Sequence, residues 1–285
     1  MEKAKRYLTT LLRQALPGNS PDFMIIGAQK SGTTSLHYYL GQHPNLTASK
    51  PKEIHYFDKW VNYGYSIDWY RKHFTQKSLR SQLYFESSPN YIYYKNVASQ
   101  VAIHFPKIKL IVLLRDPVER AFSAWNMYRD FFDGGKKAKV MKPRKPGEIN
   151  SIFRNYFQDR ITFPTFGEAI EIELKLMEEG MEAEPAILRR GLYAQQLEVY
   201  YKYFDKDAIL VLGFKDLVNE LQSTLKRVTG FLGVQDFDFD SIEKEPRNRR
   251  AYTESVSLHD KEFLLNFFRT PNTDLFELLG YQPNW

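Results

Sequence analysis

Cysteine is absent from the 285-residue chain. Disulfides, thiolate zinc sites and a cysteine nucleophile are therefore excluded together. An oxidising compartment, where loop-rich domains usually carry disulfides, is disfavoured. Long hydrophobic runs are absent as well. The longest aliphatic run is Leu110-Ile111-Val112-Leu113-Leu114, whereas a membrane-spanning helix needs about 20 apolar residues. No apolar signal-peptide core follows the N-terminus. These absences lead us to expect a soluble, cytoplasmic protein without a transmembrane segment. No internal repeat is visible, and no basic helix stripe or basic-aromatic motif suggests a nucleic-acid partner.

What is present is a chain with 43% apolar residues and a net charge of +6. The first figure allows a substantial core. The second favours anionic ligands without choosing among them. Residues 1–16 have Leu8, Leu11, Leu12 and Leu16 on one side of a basic amphipathic helix. Pro17-Gly18-Asn19-Ser20-Pro21 ends it. Residues 1–20 thus read as a peripheral helix or linker, or as a contact with a membrane surface or partner domain, and residues 21–285 as the main domain.

From residue 23 onward, short apolar segments alternate with helical ones. Strands are expected at 23–27, 83–86, 109–114 and 208–212. Helices are expected at 35–42, from Asp116-Pro117 onward, and at 167–179, 193–204, 214–232 and 258–268. This alternation implies a three-layer α/β fold, with a mostly parallel central sheet flanked by helices. Residues 134–150 break the rhythm with six Lys or Arg and two Pro. That stretch reads as a basic loop insertion, either solvated or acting as a lid over an acidic acceptor.

Two motifs carry the chemistry. Gly27-Ala28-Gln29-Lys30-Ser31-Gly32-Thr33-Thr34 lies between the first strand and its helix. Backbone N–H groups and the positive end of the helix then face an anion, in a P-loop-like phosphate-binding turn. Thr33, Thr34 and Ser35 add hydroxyls. The triphosphate loop G-x-x-x-x-G-K-[ST] has lysine where Thr33 stands. Here the lysine is Lys30, inside the loop. A phosphate-loop kinase is thereby disfavoured, and Lys30 falls near the reactive end of a ligand with a single phosphate at this point. The second motif is Arg115-Asp116-Pro117-Val118-Glu119-Arg120-Ala121-Phe122-Ser123. Arg115 ends a strand, where open α/β sheets bind ligands. Ser123 follows about two helical turns into the next helix, so the two converge on a second phosphate.

Together these motifs resemble the sulfotransferases that use 3′-phosphoadenosine 5′-phosphosulfate (PAPS), in particular the branch containing the heparan-sulfate enzymes. The resemblance extends to Lys52-Glu53-Ile54-His55-Tyr56-Phe57-Asp58, Phe85-Glu86-Ser87-Ser88-Pro89-Asn90-Tyr91, Arg190-Gly191-Leu192-Tyr193 and the tail from Phe267 to Trp285. It implies that Gln29, Lys30, Ser31, Gly32, Thr33, Thr34 and Ser35 hold the 5′-phosphosulfate, and that Arg115 and Ser123 hold the 3′-phosphate. Tyr193 joins the cofactor side, and Arg247, Asn248 and Arg249 replace the family's glycine-and-lysine loop. Ser87 stands where the heparan-sulfate enzymes carry lysine. Their usual disulfide cannot form here, which points to a bacterial or cytosolic relative.

The resemblance further implies transfer of a sulfuryl group from PAPS to an acceptor hydroxyl or amine, leaving PAP, by in-line displacement that requires no metal. Lys30 would stabilise the leaving phosphate oxygen, and Glu53 or His55 would be the general base while the other orients it. A spacing of two residues would set both on one side of an extended segment. Glu53, His55, Asp58 and Tyr91 form the expected acceptor side, with Tyr91 and Tyr193 reading equally as core residues. The acceptor classes are a carbohydrate, a polyketide- or lipid-like hydroxyl, free or carrier-bound, and a small alcohol. The competing class is a non-catalytic module that binds nucleotides or sulfated glycans.

Overall fold

Residues 23–27 and 109–114 are apolar at nearly every position, as strands covered by helices on both sides must be. In the computed structural model they are neighbours. The structure describes residues 18–74, 83–134, 161–180, 185–235, 237–245, 252 and 254–285, without the side chains of Trp60 and Val61. The expected amphipathic segment 1–16, nearly all of the basic loop, and Arg247, Asn248 and Arg249 lie outside the described residues.

The strands are β1 (Phe23–Gly27), β2 (Leu46–Ala48), β3 (Leu83–Ser87), β4 (Lys109–Leu114) and β5 (Ile209–Gly213). They form one sheet in the order β2-β3-β1-β4-β5, and every neighbouring pair is parallel. The helices are α1 (Thr33–Leu40), α2 (Trp60–Tyr63), α3 (Ile67–Arg71), α4 (Lys95–His104), α5 (Pro117–Asp133), α6 (Phe166–Glu178), α7 (Tyr193–Tyr201), α8 (Phe214–Asn219), α9 (Leu221–Leu232), α10 (Leu258–Phe267) and α11 (Arg269–Leu279).

Alternate residues of each strand enter opposite cores. Met24, Ile26, Leu110 and Val112 pack with α4, α7 and an aromatic group that includes Tyr56, Phe57, Tyr70 and Tyr91. Phe23, Ile25, Ile111 and Leu113 pack with α1 and α9 on the other face. A third cluster joins α5, α6 and α10 through Phe122, Trp125, Phe166 and Leu264. The three-layer parallel fold expected from the sequence is the observed one.

Local signals explain most boundaries. Asp116 caps α5 by accepting from the Glu119 N–H, with Pro117 in the first turn. Thr165 and Glu168 form a capping box at α6. The expected helix over 214–232 is two helices, because Glu220 leaves the helical region at φ −130° and ψ 47°. Strand β2 and helices α2, α3, α4 and α11 were not expected; the first three have five residues or fewer, too few to develop a period, whereas α4 and α11 have 10 and 11 residues.

Phe85 is buried on β3, with its ring stacked on Phe23 at 4.7 Å and against His37 at 5.1 Å. Phe85→Ala is expected to cost about 3–5 kcal/mol of folding stability. Equilibrium denaturation measures this; a loss below about 1 kcal/mol would mean that this core layer collapses around the cavity.

Candidate active site

Four of the sequence elements expected to carry chemistry leave the sheet at the carboxyl ends of strands. This is the edge where open α/β sheets bind ligands. The Gly27–Thr34 loop follows β1, the Lys52–Asp58 segment follows β2, Ser88–Tyr91 follows β3 and Arg115 follows β4.

The first loop is tied to β4 by the Ala28 N–H, which donates to the Leu113 carbonyl at 2.9 Å. Gly32 caps α1 at φ 90° without a side-chain hydrogen bond. A Cβ there would stand 3.1 Å from the Phe214 ring and 3.3 Å from Leu113. Glycine is thus needed for both its backbone angle and its close approach. Ser31, Thr33 and Ser35 are buried, and the buried Gln29 Oε1 has no hydrogen-bond partner among the described protein atoms. A strand-to-helix turn rimmed by hydroxyls and Lys30 suits a phosphate or sulfate group.

Arg115 lies next to this loop. Its Nη1 donates to the Lys30 carbonyl at 3.5 Å, its guanidinium covers the Phe214 ring at 4.7 Å, and Glu119 pairs with it at 3.1 Å. The two anion motifs are therefore adjacent. Ser123 is buried on α5 and its Oγ accepts from the Tyr252 hydroxyl at 2.7 Å. The sequence reading missed Tyr252. The signal for it was an aromatic just after the Arg247–Arg250 stretch, and its ring packs edge-on against Phe122. Tyr193 is buried, its hydroxyl donates to the Arg115 carbonyl at 2.8 Å, and Trp285 packs beside its ring. It supports the Arg115 backbone from below.

After β2, Asp58, His55 and Glu53 form a chain from interior to surface. Asp58 is 1% exposed and bonds His55 Nδ1 at 2.8 Å. His55, 16% exposed, turns Nε2 toward Glu53 Oε2 at 3.5 Å. Glu53, 38% exposed, is the outermost and also pairs with Lys52. Asp58 additionally accepts from Asn90, which accepts from Arg190. The pairing of Glu53 with His55 was expected from an extended segment, but the backbone is not extended. Glu53 and His55 have φ of 63° and 55°, and Lys30 has φ of 70°. These are the non-glycine residues with positive φ among the described residues, a conformation found where structure is held against local preference. Tyr91 is fully buried under this segment rather than in the cleft, and its hydroxyl accepts from the Tyr56 N–H at 3.0 Å.

The charges follow from this geometry. Burial would lower the His55 pKa, but its bonds to Asp58 and Glu53 outweigh burial and raise it to about 9. Burial would raise that of Glu53, but the His55 bond and the Lys52 charge bring it to about 2. Asp58 is held low against burial by the His55 bond and charge. At neutral pH, His55 is a cation between two carboxylates. Nearby on α1, His37 is pushed down to about 4 by burial and the Lys52 charge, against the opposing pull of Glu53, so it stays neutral.

This arrangement sets a pH dependence. The folded pKa of His55 lies above its ordinary 6.5, so its stabilisation is complete below 6.5 and is lost as pH rises through about 9. Glu53 contributes above 4.5 and is lost only as pH falls through about 2. The melting temperature of the ligand-free protein is expected to fall between pH 7 and 9.5. Asp58→Asn should flatten that fall. Parallel curves for both proteins would refute the charge assignment.

The chain matches the Sulfotransferase domain family over residues 20–261. It is 26% identical to the membrane-associated sulfotransferase kil1 of Dictyostelium discoideum, covering 93% of this chain and 66% of that protein. It is 28% identical to the bifunctional heparan sulfate N-deacetylase/N-sulfotransferase 1 of Xenopus laevis, covering 91% of this chain and 30% of the relative. The fold is similar to that of a sulfotransferase from Alicyclobacillus acidocaldarius, with a TM-score of 0.68 at 22% identity over 93% of this chain and 97% of the other. The Gly27–Thr34 turn, the Arg115 motif and the Lys52–Asp58 segment thus occur together in a chain that belongs to the sulfotransferase domain family.

Proposed function

We propose that this domain transfers a sulfuryl group from PAPS to a hydroxyl or amine of a carbohydrate acceptor, releasing PAP. The observation that carries the reading is the meeting, at one sheet edge, of the Lys30 loop, the adjoining Arg115 motif and the Asp58–His55–Glu53 chain. The names of the heparan sulfate relatives support the carbohydrate class. The chain spans under a third of those proteins and about two thirds of the Dictyostelium relative, so the carbohydrate class is a proposal that rests on those names. Residues 21–285 are taken as one catalytic domain.

PAPS supplies an activated sulfuryl group whose leaving oxygen belongs to a phosphate. The Gly27–Thr34 turn, with Ser35, holds the 5′-phosphosulfate end through amides and hydroxyls. Arg115 and Ser123, with Tyr252, hold the 3′-phosphate, and Tyr193 keeps the Arg115 backbone in place. The Arg247-Asn248-Arg249 stretch adds charge on that side. Lys30 stabilises the developing charge on the leaving oxygen, worth on the order of 3 kcal/mol in comparable sites. Glu53 receives the acceptor proton, since His55 is already charged. Its low pKa makes it a weak base, which suffices when the transition state is loose and the proton departs late. His55 and Asp58 orient Glu53.

The lack of cysteine supports a reducing compartment, the cytoplasm. No helix among the described residues is long and apolar enough to cross a membrane. The Dictyostelium relative is named as membrane-associated, and residues 1–16 are the segment suited to a peripheral contact of that kind.

The test is transfer from labelled PAPS to a panel of glycans, lipid-like alcohols and carrier-bound hydroxyls. Lys30→Ala and Glu53→Gln should each lower kcat by about two orders of magnitude. Arg115→Ala should weaken PAP binding, measured by calorimetry. Full turnover in the first two variants would overturn the roles. Transfer confined to non-carbohydrate acceptors would overturn the acceptor class.

A further inference from the structure

Glu86 is a carboxyl residue in the middle of β3 and is fully buried. It pairs in register with Met24 and enters the face that holds Tyr56, Phe57, Tyr70 and Tyr91. An isolated carboxylate in such surroundings is strongly disfavoured. Here three hydroxyls surround it. Tyr70 donates to Oε1 at 2.7 Å, Ser88 donates to Oε2 at 3.1 Å, and the Tyr91 hydroxyl is also hydrogen-bonded to it. Burial pushes its pKa up to about 7, while these hydroxyls pull the other way.

A hydroxyl has one proton. Once Tyr91 and Ser88 give theirs to Glu86, their oxygens are left as acceptors. Both oxygens then meet backbone donors of the acceptor-side segment. Tyr91 Oη accepts from the Tyr56 N–H at 3.0 Å and more weakly from the Phe57 N–H at 3.5 Å. Ser88 Oγ faces the His55 N–H at 3.5 Å. Those amides flank the residue whose φ is 55°. A left-handed backbone at a histidine persists only when its surroundings hold it there.

The geometry points to Glu86 as a positioning residue: its carboxylate sets the polarity of two hydroxyl relays that hold the His55–Phe57 backbone, and through it the Asp58–His55–Glu53 chain. This rests on the reading of that chain as the acceptor-side machinery. Glu86 itself, beneath the segment and without exposure, touches no substrate. A glutamine in its place keeps the shape but introduces an NH2 group. That donor competes for the hydroxyl oxygens and turns their protons toward the backbone amides.

Two measurements on Glu86→Gln and Tyr91→Phe test the assignment. In the transfer assay, kcat should fall on the order of tenfold to a hundredfold, the cost of a small misplacement of catalytic groups. The KM for PAPS and the affinity for PAP should stay within about twofold, because the Lys30 and Arg115 motifs are held separately. In hydrogen exchange, the amides of residues 55–57 should exchange faster in both variants, while those of β4 keep wild-type protection. Unchanged kcat, equal loss of PAP affinity, or unchanged exchange at 55–57 in the folded variants would overturn the assignment. If Glu86→Gln does not fold, Tyr91→Phe, which removes one relay only, decides the matter alone. If the wild type transfers sulfate to no acceptor, the functional reading fails, yet the exchange measurement still judges the role of Glu86.

Discussion

The seam between β1 and β4 constrains everything built on it. The two strands pair in parallel until Ile25 faces Ile111, and the register then shifts so that Gly27 faces Val112. Immediately beyond, the Ala28 N–H still reaches the Leu113 carbonyl. The chain therefore leaves the sheet one residue out of step but firmly anchored. Lys30 turns in the left-handed region, Gly32 passes against Phe214, and α1 begins at Gly32 without a side-chain cap. The same end of β4 supplies Arg115, whose side chain comes back to the Lys30 carbonyl. A donor with phosphate groups at both ends needs two anion sites at fixed separation. Building both from the ends of neighbouring strands makes that separation a property of the sheet, the least deformable part of the fold.

Much of this was legible beforehand because it depends on local rules. The strand–glycine–helix pattern around Gly27 to Thr34 and the Asp116-Pro117 start of α5 are statements about neighbouring residues, and both appear where expected. The Lys52–Asp58 segment was legible only in part. The family resemblance marked Glu53, His55 and Asp58, but nothing local announces φ values of 63° and 55°. The His55 turn is met from below by the Ser88 and Tyr91 hydroxyls, through the amides of residues 55–57 and more than 30 residues away in sequence. Glu86 was read simply as part of a strand, because its meaning lies in Tyr70 and Tyr91 converging from other elements. Tyr252 was hidden likewise: its partner Ser123 is 129 residues distant.

Under the proposed function, the charge pattern of the Asp58–His55–Glu53 chain favours one of the two base candidates that residue types alone left open. Histidine has an ordinary pKa near neutrality and is the usual choice of base. Between Glu53 and Asp58, however, His55 is held protonated at neutral pH, and a base that already carries its proton cannot accept another. The outward position of Glu53, the most exposed member of the chain, then becomes decisive. A carboxylate stabilised by a neighbouring cation is a poor base in the ground state. In sulfuryl transfer the acceptor oxygen or nitrogen grows acidic only as its bond to sulfur forms, so the proton leaves after most of the barrier is crossed. The site therefore has little use for a strong base. What the proposed transfer needs is an anion held in one place beside the acceptor. Buried Asp58, cationic His55 and a strained backbone held by hydroxyls all serve that placement.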